Sequence, residues 1–332
     1  MFRSPSHLRP SCSSNRAGLR RAFSLIELMV VIVIIGILAG FLLPGVMGAK
    51  QAAQVTAVVT EMKNIEKAIQ DFKLKYGIEP PSKIVLFEEG SHWSATPAVP
   101  SNHNWTAADA TRSRSYLRQI WPQFDFTGAA DRDINGDGDS TDILELQGAE
   151  CLTFFLGGVC STNVVDNTGT VRTAPVDANH STPSAGDAVD YWEPRGFSVN
   201  PTNPFARGGS RVGPFMEITR LVNLDDDNGT ADPDGMPEWL DSIPGQTKPF
   251  IYASAYEGKG YRAADLPVGI GSTFISVYTK PSGTPYSENT FQLISPGFDG
   301  EYGTGGVYDN TLPVGRETER DNITSFKTGR LE

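Results

Sequence analysis

Apolar residues form one long run near the N-terminus of the chain. From Leu28 to Ala49 there are 22 residues without a charge, and about 20 apolar residues are enough to cross a bilayer core. One acid, Glu27, stands immediately before this run. Burying it costs about 3 kcal/mol, and the aliphatic residues outweigh that cost because each contributes about −0.3 to −0.6 kcal/mol. The pattern therefore predicts a membrane-spanning helix that retains an ionisable group at its start.

The helical pattern continues beyond the membrane-spanning run. Over residues 51–76 apolar residues recur at helical spacing on one face, while Lys and Glu occupy much of the other. Gly77 and the pair Pro80-Pro81 predict the end of this helix, and Pro44 predicts a kink near the membrane exit. The apolar positions are Val55, Val58, Val59, Met62, Ile65, Ile69, Phe72 and Tyr76.

The rest of the chain is less regular. We expect loops over residues 82–248, with one helix across residues 142–156. Residues 250–256, 273–278 and 290–294 read as strands. A small antiparallel sheet packed against the second half of the long helix is the simplest arrangement. The predicted fold class is therefore α+β: a long N-terminal transmembrane helix, a small antiparallel β-sheet head and a loop-rich insertion.

Charge predicts the orientation of the membrane helix. The first 22 residues contain five arginines and no acid, and Lys50 is the first charge after the span. The positive-inside rule then places the N-terminus in the cytoplasm and the C-terminal part outside. The whole chain carries −11, and the part after residue 22 carries −16. Such an acidic domain disfavours nucleic acid and anionic lipid as partners and suits divalent cations.

A short motif lies at the start of the apolar run. The small residue Ala22 follows a basic pair and precedes Phe23-Ser-Leu-Ile-Glu27, and Pro44 follows within the helix. This arrangement resembles the class III signal of type IV prepilins and type II secretion pseudopilins. The resemblance implies cleavage after Ala22 by a prepilin peptidase and N-methylation of Phe23, although Ala22 stands where the family usually has Gly. The alternative is an uncleaved signal anchor whose Glu27 reaches towards the lipid headgroups.

Cleavage at this motif would give Glu27 a partner. The new α-amine of Phe23 in one subunit can approach Glu27 of a neighbour, and pairing offsets much of the cost of each charge in lipid. The resemblance implies a homo-oligomeric periplasmic filament, built with other pseudopilins and inner-membrane secretion machinery and used for protein export. The subunit would be a single-pass inner-membrane protein before assembly. The alternative is a type IV pilus pilin with an enlarged adhesive or calcium-dependent glycan-binding head.

These patterns divide the chain into four segments. They are a leader (1–22), the long helix (23–76), the loop-rich insertion (77–248) and a pseudopilin-like C-terminal sheet (249–332). The sequence contains no HExxH pair, no G-x-S-x-G elbow and no phosphate-binding loop. We therefore expect a structural protein and not an enzyme.

A carboxylate loop in the insertion fits a calcium-binding pattern. Residues 131–142 follow the twelve-residue template in which alternate side chains converge on one ion and Gly136 allows the sharp turn. A solvated turn rich in Asp and Gly is the alternative. A second acidic cluster, residues 225–235, keeps no single template and suits either a weaker cation site or a flexible loop. The predicted calcium ligands are Asp131, Asp133, Asn135, Asp137, Asp139 and Asp142.

A third region, near the C-terminus, resembles the calcium loop of the major pseudopilin. Residues 295–306 contain Ser-Pro-Gly-Phe-Asp-Gly, and residues 320–324 read Arg-Asp-Asn-Ile-Thr. The resemblance implies that Asp299 and Asp321 are ligands of one calcium ion and that backbone carbonyls complete its shell. The segment between them, residues 307–319, is longer than the family usually has.

Two cysteines follow the leader, Cys151 and Cys160. In a compartment outside the cytoplasm they can form a disulfide bond, which would stabilise the fold by about 2–3 kcal/mol. Two buried thiols in this apolar run are the alternative.

Overall fold

The computed structural model forms two compact units, Met1–Gln51 and Ala52–Glu332. In the described parts the helices are α1 (Leu25–Tyr76), α2 (Ala107–Ile120) and α3 (Ala149–Leu152), the last continued by a π-helical turn, Thr153–Gly157. The residues that the structure describes are 24–93, 105–127, 132–135, 140, 142–159, 163–165, 171–173, 187–188, 195–206, 209–218, 220–223, 236–266 and 274–331.

In the first unit, α1 exposes its apolar side chains. The described large apolar residues from Leu25 to Met47 are each 45–80% exposed. Among the described residues, α1 is the helix long and apolar enough to cross a membrane. This confirms the predicted apolar helix, which runs through Pro44 without a break in its helical assignment. The kink at Pro44 stays a prediction.

In the second unit, the remainder of α1 buries one face. The buried residues confirm the predicted stripe, which covers the core side of the helix. Gly77 ends the helix with a φ of +86°, and its N–H donates to the Lys73 carbonyl at 2.7 Å. Glycine suits this left-handed cap because it has no Cβ. The buried residues of the stripe are Val58, Met62, Ile65, Ala68, Ile69 and Phe72.

Apart from α2, α3 and short helical turns, the regular structure described after α1 consists of short strands. They are β1 (Lys83–Phe87), β2 (Ile143–Gln147), β3 (Asn163–Val165), β4 (Val171–Thr173), β5 (Asp187–Ala188), β6 (Phe197–Ser198), β7 (Arg211–Val212), β8 (Leu221–Asn223), β9 (Glu238–Trp239), β10 (Ile251–Ser254), β11 (Ser276–Thr279), β12 (Phe291–Ser295), β13 (Gly305–Val307), β14 (Ile323–Thr324) and β15 (Lys327–Arg330).

The largest described sheet is antiparallel and has the order β10-β12-β14-β15. Two of the predicted strands lie in it, with Ile251 opposite Ile294. The third predicted strand, β11, pairs in parallel with β13 outside this sheet. The three predicted strands are thus confirmed. The prediction that all three lie in the same antiparallel sheet is wrong, because β11 pairs with β13 instead. The described topology also contains the pairs β3-β4 and β6-β7 and the three-stranded sheet β5-β8-β9.

The middle of the chain contains more order than the sequence predicts. The helix expected across residues 142–156 is wrong in its first half, because Ile143–Gln147 forms β2 and pairs antiparallel with β1. This pairing gives the backbone groups of both strands partners inside the core. Helix α2 lies in the region expected to be loops. Thr106 caps it in a capping box with Asp109, whose carboxylate accepts from the Thr106 amide at 2.9 Å.

Aromatic side chains join the insertion over residues 77–248, called the middle segment from here on, to α1. The Phe72 ring lies 5.7 Å from Phe155 and 5.4 Å from Phe215, and Tyr76 lies 5.6 Å from Trp121, between ring centroids. The same hydrophobic core includes Leu293 of the C-terminal sheet. A long apolar helix with small antiparallel sheets and loop-rich regions confirms the predicted α+β class.

Candidate functional site

The first candidate site is the start of α1. Glu27 lies in the first helical turn, and its Oε2 accepts the backbone N–H of Ser24 at 2.9 Å. The Ser24 hydroxyl in turn accepts the N–H of Ile26 at 3.2 Å. An acid at a helix N-terminus satisfies an otherwise unpaired amide and interacts favourably with the helix dipole. The carboxylate is therefore already directed at the N-terminal end of the helix. Ala22 and Phe23 lie outside the described residues.

The second candidate site is the loop over residues 131–142. The structure describes Asp133, Asn135 and Asp142 of the predicted ligands, whereas Asp131, Asp137 and Asp139 lie outside the described residues. The amide nitrogen of the Asn135 side chain donates to Asp142 Oδ2 at 2.8 Å. The fifth and twelfth positions of the template are thus brought together.

Glu88 is a component of this loop that the sequence analysis missed. It follows β1, is fully buried, and accepts backbone N–H groups from Ile134, from Asn135 at 3.2 Å and from Asp142 at 3.4 Å. Burial raises the pKa of Glu88 to about 8, with further contributions from the carboxylates of Asp142 and Asp133. Because the contact spans more than forty residues of sequence, the local pattern contained no signal for it.

The third candidate site is the turn after β12. Asp321 Oδ2 accepts the N–H of Phe298 at 2.5 Å and the N–H of Asp299 at 3.0 Å. Asp299 Oδ1 accepts the N–H of Glu301 at 2.8 Å. Burial raises the pKa of Asp299, and the nearby charges of Asp321 and Glu301 add to this effect. The structure therefore places the Asp321 carboxylate against the backbone amide of Asp299, while their shared calcium ion stays a prediction. We call residues 295–299 with Asp321 the C-terminal carboxylate turn.

Glycine is required at the centre of this turn. Gly297 has a φ of +70°, and a Cβ there would lie 2.7 Å from the Asp321 carboxylate carbon. Calcium takes six to eight oxygen ligands, including backbone carbonyls. Within the described ranges, no group of three or more His, Cys, Asp or Glu side chains is arranged to hold a metal. The turn therefore suits a cation only if carbonyl oxygens complete the shell.

A buried ion pair supports the longer segment beside this turn. Glu319 is fully buried, and Arg316 Nε donates to its Oε1 at 2.6 Å. The Tyr278 hydroxyl donates to Glu319 Oε2 at 2.8 Å, and the Thr304 amide donates to Oε1 at 3.0 Å. Arg316 and Glu319 thus anchor the segment over residues 307–319 to Tyr278 and Thr304.

Two other predicted features are incompletely described. Cys151 is buried, and its sulfur lies 3.3 Å from the carbonyl oxygen of Leu146. Cys160 and the acidic cluster 225–235 lie outside the described residues. The disulfide bond and the second cation site stay predictions.

Comparison with known proteins identifies the N-terminal segment. Residues 19–43 match the family model described as "Prokaryotic N-terminal methylation motif". Over 102 residues the chain is 34% identical to the type II secretion system core protein G of Klebsiella michiganensis, which covers 30% of this chain and 65% of that protein. The part of the chain that these comparisons cover is similar to a type II secretion pseudopilin.

Other relatives share the same name. The chain is 44% identical over 78 residues to core protein G of Klebsiella pneumoniae, covering 24% of the chain and 56% of the relative. It is 44% identical over 55 residues to core protein G of Escherichia coli, covering 17% and 38%. The chain thus spans less than two thirds of the length of these relatives. They are named as parts of a secretion system and not as enzymes. No solved structure matches the chain.

Proposed function

We propose that this chain is a structural subunit of a type II secretion-like pseudopilus and contributes to protein export across the outer membrane. The observation that carries the proposal is the methylation motif at residues 19–43 joined to a helix that exposes its described apolar side chains. A surface of this kind needs lipid or other helices around it. The membrane supplies the lipid before assembly. A filament core built from such helices supplies the other helices after assembly.

The processing step belongs to the proposal. A prepilin peptidase cleaves after Ala22, and the new N-terminus, Phe23, is methylated. Before assembly the chain crosses the inner membrane once, with its N-terminus in the cytoplasm and its C-terminal unit in the periplasm. The five arginines of the leader support this orientation.

Glu27 is the assembly residue in this proposal. In the structure its carboxylate accepts the amide of Ser24, the residue next to the proposed new terminus. A charged amine is a better donor to a carboxylate than a neutral amide. The Phe23 amine of a neighbouring subunit therefore replaces or supplements this contact in the filament, and the pairing sets the axial register of subunits.

Mass spectrometry of the N-terminus tests the proposal. The chain is expressed with and without a prepilin peptidase, extracted from membranes and sequenced. A methylated terminus at Phe23 that depends on the peptidase is expected. An Ala22→Gly variant serves as the matched control and should be processed at least as well, while Ala22→Leu should block processing. An intact Met1 or a cut after Ala49 in the presence of the peptidase would overturn the proposal. Long surface pili would favour the type IV pilus pilin instead.

We also propose that calcium binds the C-terminal carboxylate turn and the loop over residues 131–142. Two contacts that bring the predicted ligands close support these sites: the Asp321 carboxylate accepts the backbone amide of Asp299, and the Asn135 side-chain nitrogen donates to Asp142 Oδ2. Calcium should raise the melting temperature of the full chain in detergent, and chelation should reverse the gain. Asp321→Asn should lose part of the gain, whereas the exposed Asp309→Asn is the control. An unchanged melting temperature on chelation would contradict both sites.

A further inference from the structure

A buried carboxylate lies directly behind the C-terminal carboxylate turn. Asp241 follows β9 in the middle segment and is fully buried. A buried charge of this kind is costly unless several donors meet it. The donors to Asp241 come from both the middle segment and the C-terminal sheet.

Both oxygens of Asp241 accept hydrogen bonds. Oδ2 accepts the Ser295 hydroxyl at 2.5 Å and Gln246 Nε2 at 3.1 Å. Oδ1 accepts the backbone N–H of Ile243 at 2.8 Å. Ser295 is the last residue of β12, so the carboxylate joins the middle segment to the strand that leads into the turn.

The partners of Asp241 hold both polar backbone groups of Gly297. The Gly297 N–H donates to the Ser295 hydroxyl oxygen at 3.2 Å. Gln246 Nε2 donates to the Gly297 carbonyl at 3.0 Å. Gly297 is the residue that packs against Asp321 and has a positive φ. Its orientation decides whether the next two amides, those of Phe298 and Asp299, reach the Asp321 carboxylate.

We propose that Asp241 is a positioning residue for the C-terminal carboxylate turn. Acting through Ser295 and Gln246, it fixes the backbone at Gly297 so that Asp321 meets the two following amides. The middle segment thereby sets the backbone geometry that brings the amide of Asp299 to the Asp321 carboxylate. The inference deepens the proposed calcium site, but its hydrogen bonds involve no metal and can be tested without one.

Amide hydrogen exchange of the full chain in detergent with EDTA tests the role of Asp241. Asp241→Ala should speed amide exchange in the peptide that contains residues 297–299 about tenfold or more. The reason is that Ser295 and Gln246 lose their hydrogen bonds to the Asp241 carboxylate. Exchange in the β1-β2 pair should stay unchanged. Asp109→Ala is the matched control, since it also removes a multiply bonded carboxylate, that of the α2 capping box. It should leave residues 297–299 unchanged.

A double-mutant cycle separates positioning from general stability. Ser295→Ala should also loosen the turn, and the double variant should be no looser than Asp241→Ala alone, because both changes break one chain of hydrogen bonds. Additive effects, or unchanged exchange at residues 297–299 in Asp241→Ala, overturn the proposal. If Asp241→Ala does not fold, Asp241→Asn and Gln246→Ala give the same comparison with less lost volume.

The same experiment with calcium distinguishes the two proposals. Calcium should slow exchange of the wild-type turn further. If it does not, the calcium site fails, and the comparison in EDTA still decides the role of Asp241.

Discussion

The indole Nε1 of Trp239 donates a hydrogen bond to Glu61 Oε1 at 3.2 Å. Trp239 is almost fully buried in β9, and Glu61 lies on α1. Burial raises the pKa of Glu61, and the Asp241 carboxylate nearby adds to this, while the indole hydrogen bond opposes it. The middle segment is therefore bound to the helix by a specific polar contact as well as by aromatic packing.

Replacing this donor should destabilise the second unit. We expect Trp239→Phe to lower the free energy of unfolding by about 1–3 kcal/mol beyond its packing loss, because a half-buried carboxylate loses a partner. Urea unfolding of the detergent-solubilised chain measures it. Trp105→Phe is the control: Trp105 is equally buried, and its indole N–H has no acceptor among the described residues. Equal losses in the two variants would contradict a role for the hydrogen bond.

Asp265 should make stability depend on pH. Its carboxylate is buried and accepts from the Tyr256 hydroxyl and from Ser82 Oγ at 3.2 Å. Burial raises the pKa of Asp265 above its usual 3.8. The folded state then holds the proton more tightly than the unfolded state. The contribution of Asp265 to the free energy of unfolding should fall as pH rises from 3.8 through its folded pKa, and it should stay level above that pKa.

Asp265→Asn should reduce this slope, as measured by urea unfolding between pH 4 and 7; Glu88 and Glu61, whose pKa values burial also raises, contribute to the remainder. Asp125→Asn is the control, because hydrogen bonds from Thr127 lower the pKa of Asp125 and its effect lies below pH 3.8. A slope of unchanged size in Asp265→Asn would assign the pH dependence to other groups.

Gly303 should tolerate no side chain. A Cβ there would overlap the buried side chain of Glu319, and its φ is +65°. Gly306→Ala has a similar φ of +91° but meets nothing within 4 Å, so it isolates the backbone strain. We expect Gly303→Ala to cost about 1–3 kcal/mol more than Gly306→Ala in thermal or urea unfolding. Equal costs would mean that Glu319 and its Arg316 pair move aside freely.

Glu27→Ala should separate insertion from assembly. We expect normal membrane insertion and normal cleavage after Ala22, but no incorporation into the filament, because the amine of a neighbour loses its partner. Crosslinking and shearing of filaments measure incorporation. Asp71→Ala is the control, since it removes an exposed carboxylate of the same helix that pairs with Lys67 at the surface. Normal incorporation of Glu27→Ala would refute the charge-pair role.

The sequence predicted features that depend on local periodicity. The buried stripe of α1, its end at Gly77 and the strands β10 and β12 follow from spacing and turn residues alone. The sequence did not predict β2, because Ile143–Gln147 alternates too little to be told from a helix until β1 lies beside it. It also missed α2, whose apolar positions are few.

The polar contacts also divide into those that the sequence predicted and those that it did not. Asp299 and Asp321 could be paired because a family resemblance linked their two motifs. Glu88 and Asp241 could not be predicted, since each is one acid among many, and the donors Ile134 and Ser295 lie 46 and 54 residues away from them. Burial turns these two residues into organisers of the loops, and burial is set by tertiary packing.

The buried stripe of α1 has a consequence for any assembly. From Val58 to Phe72 one face of the helix is already covered by the chain's own core. A neighbouring subunit can reach this stretch only from the opposite, largely polar side. Contacts there must be made by side chains such as Lys63 and Lys67. Salt weakens such contacts, because it screens interactions between exposed charges. In the proposed filament, ionic strength should therefore change the association of the second units of neighbouring subunits, whereas contacts between the apolar helices should respond little to it.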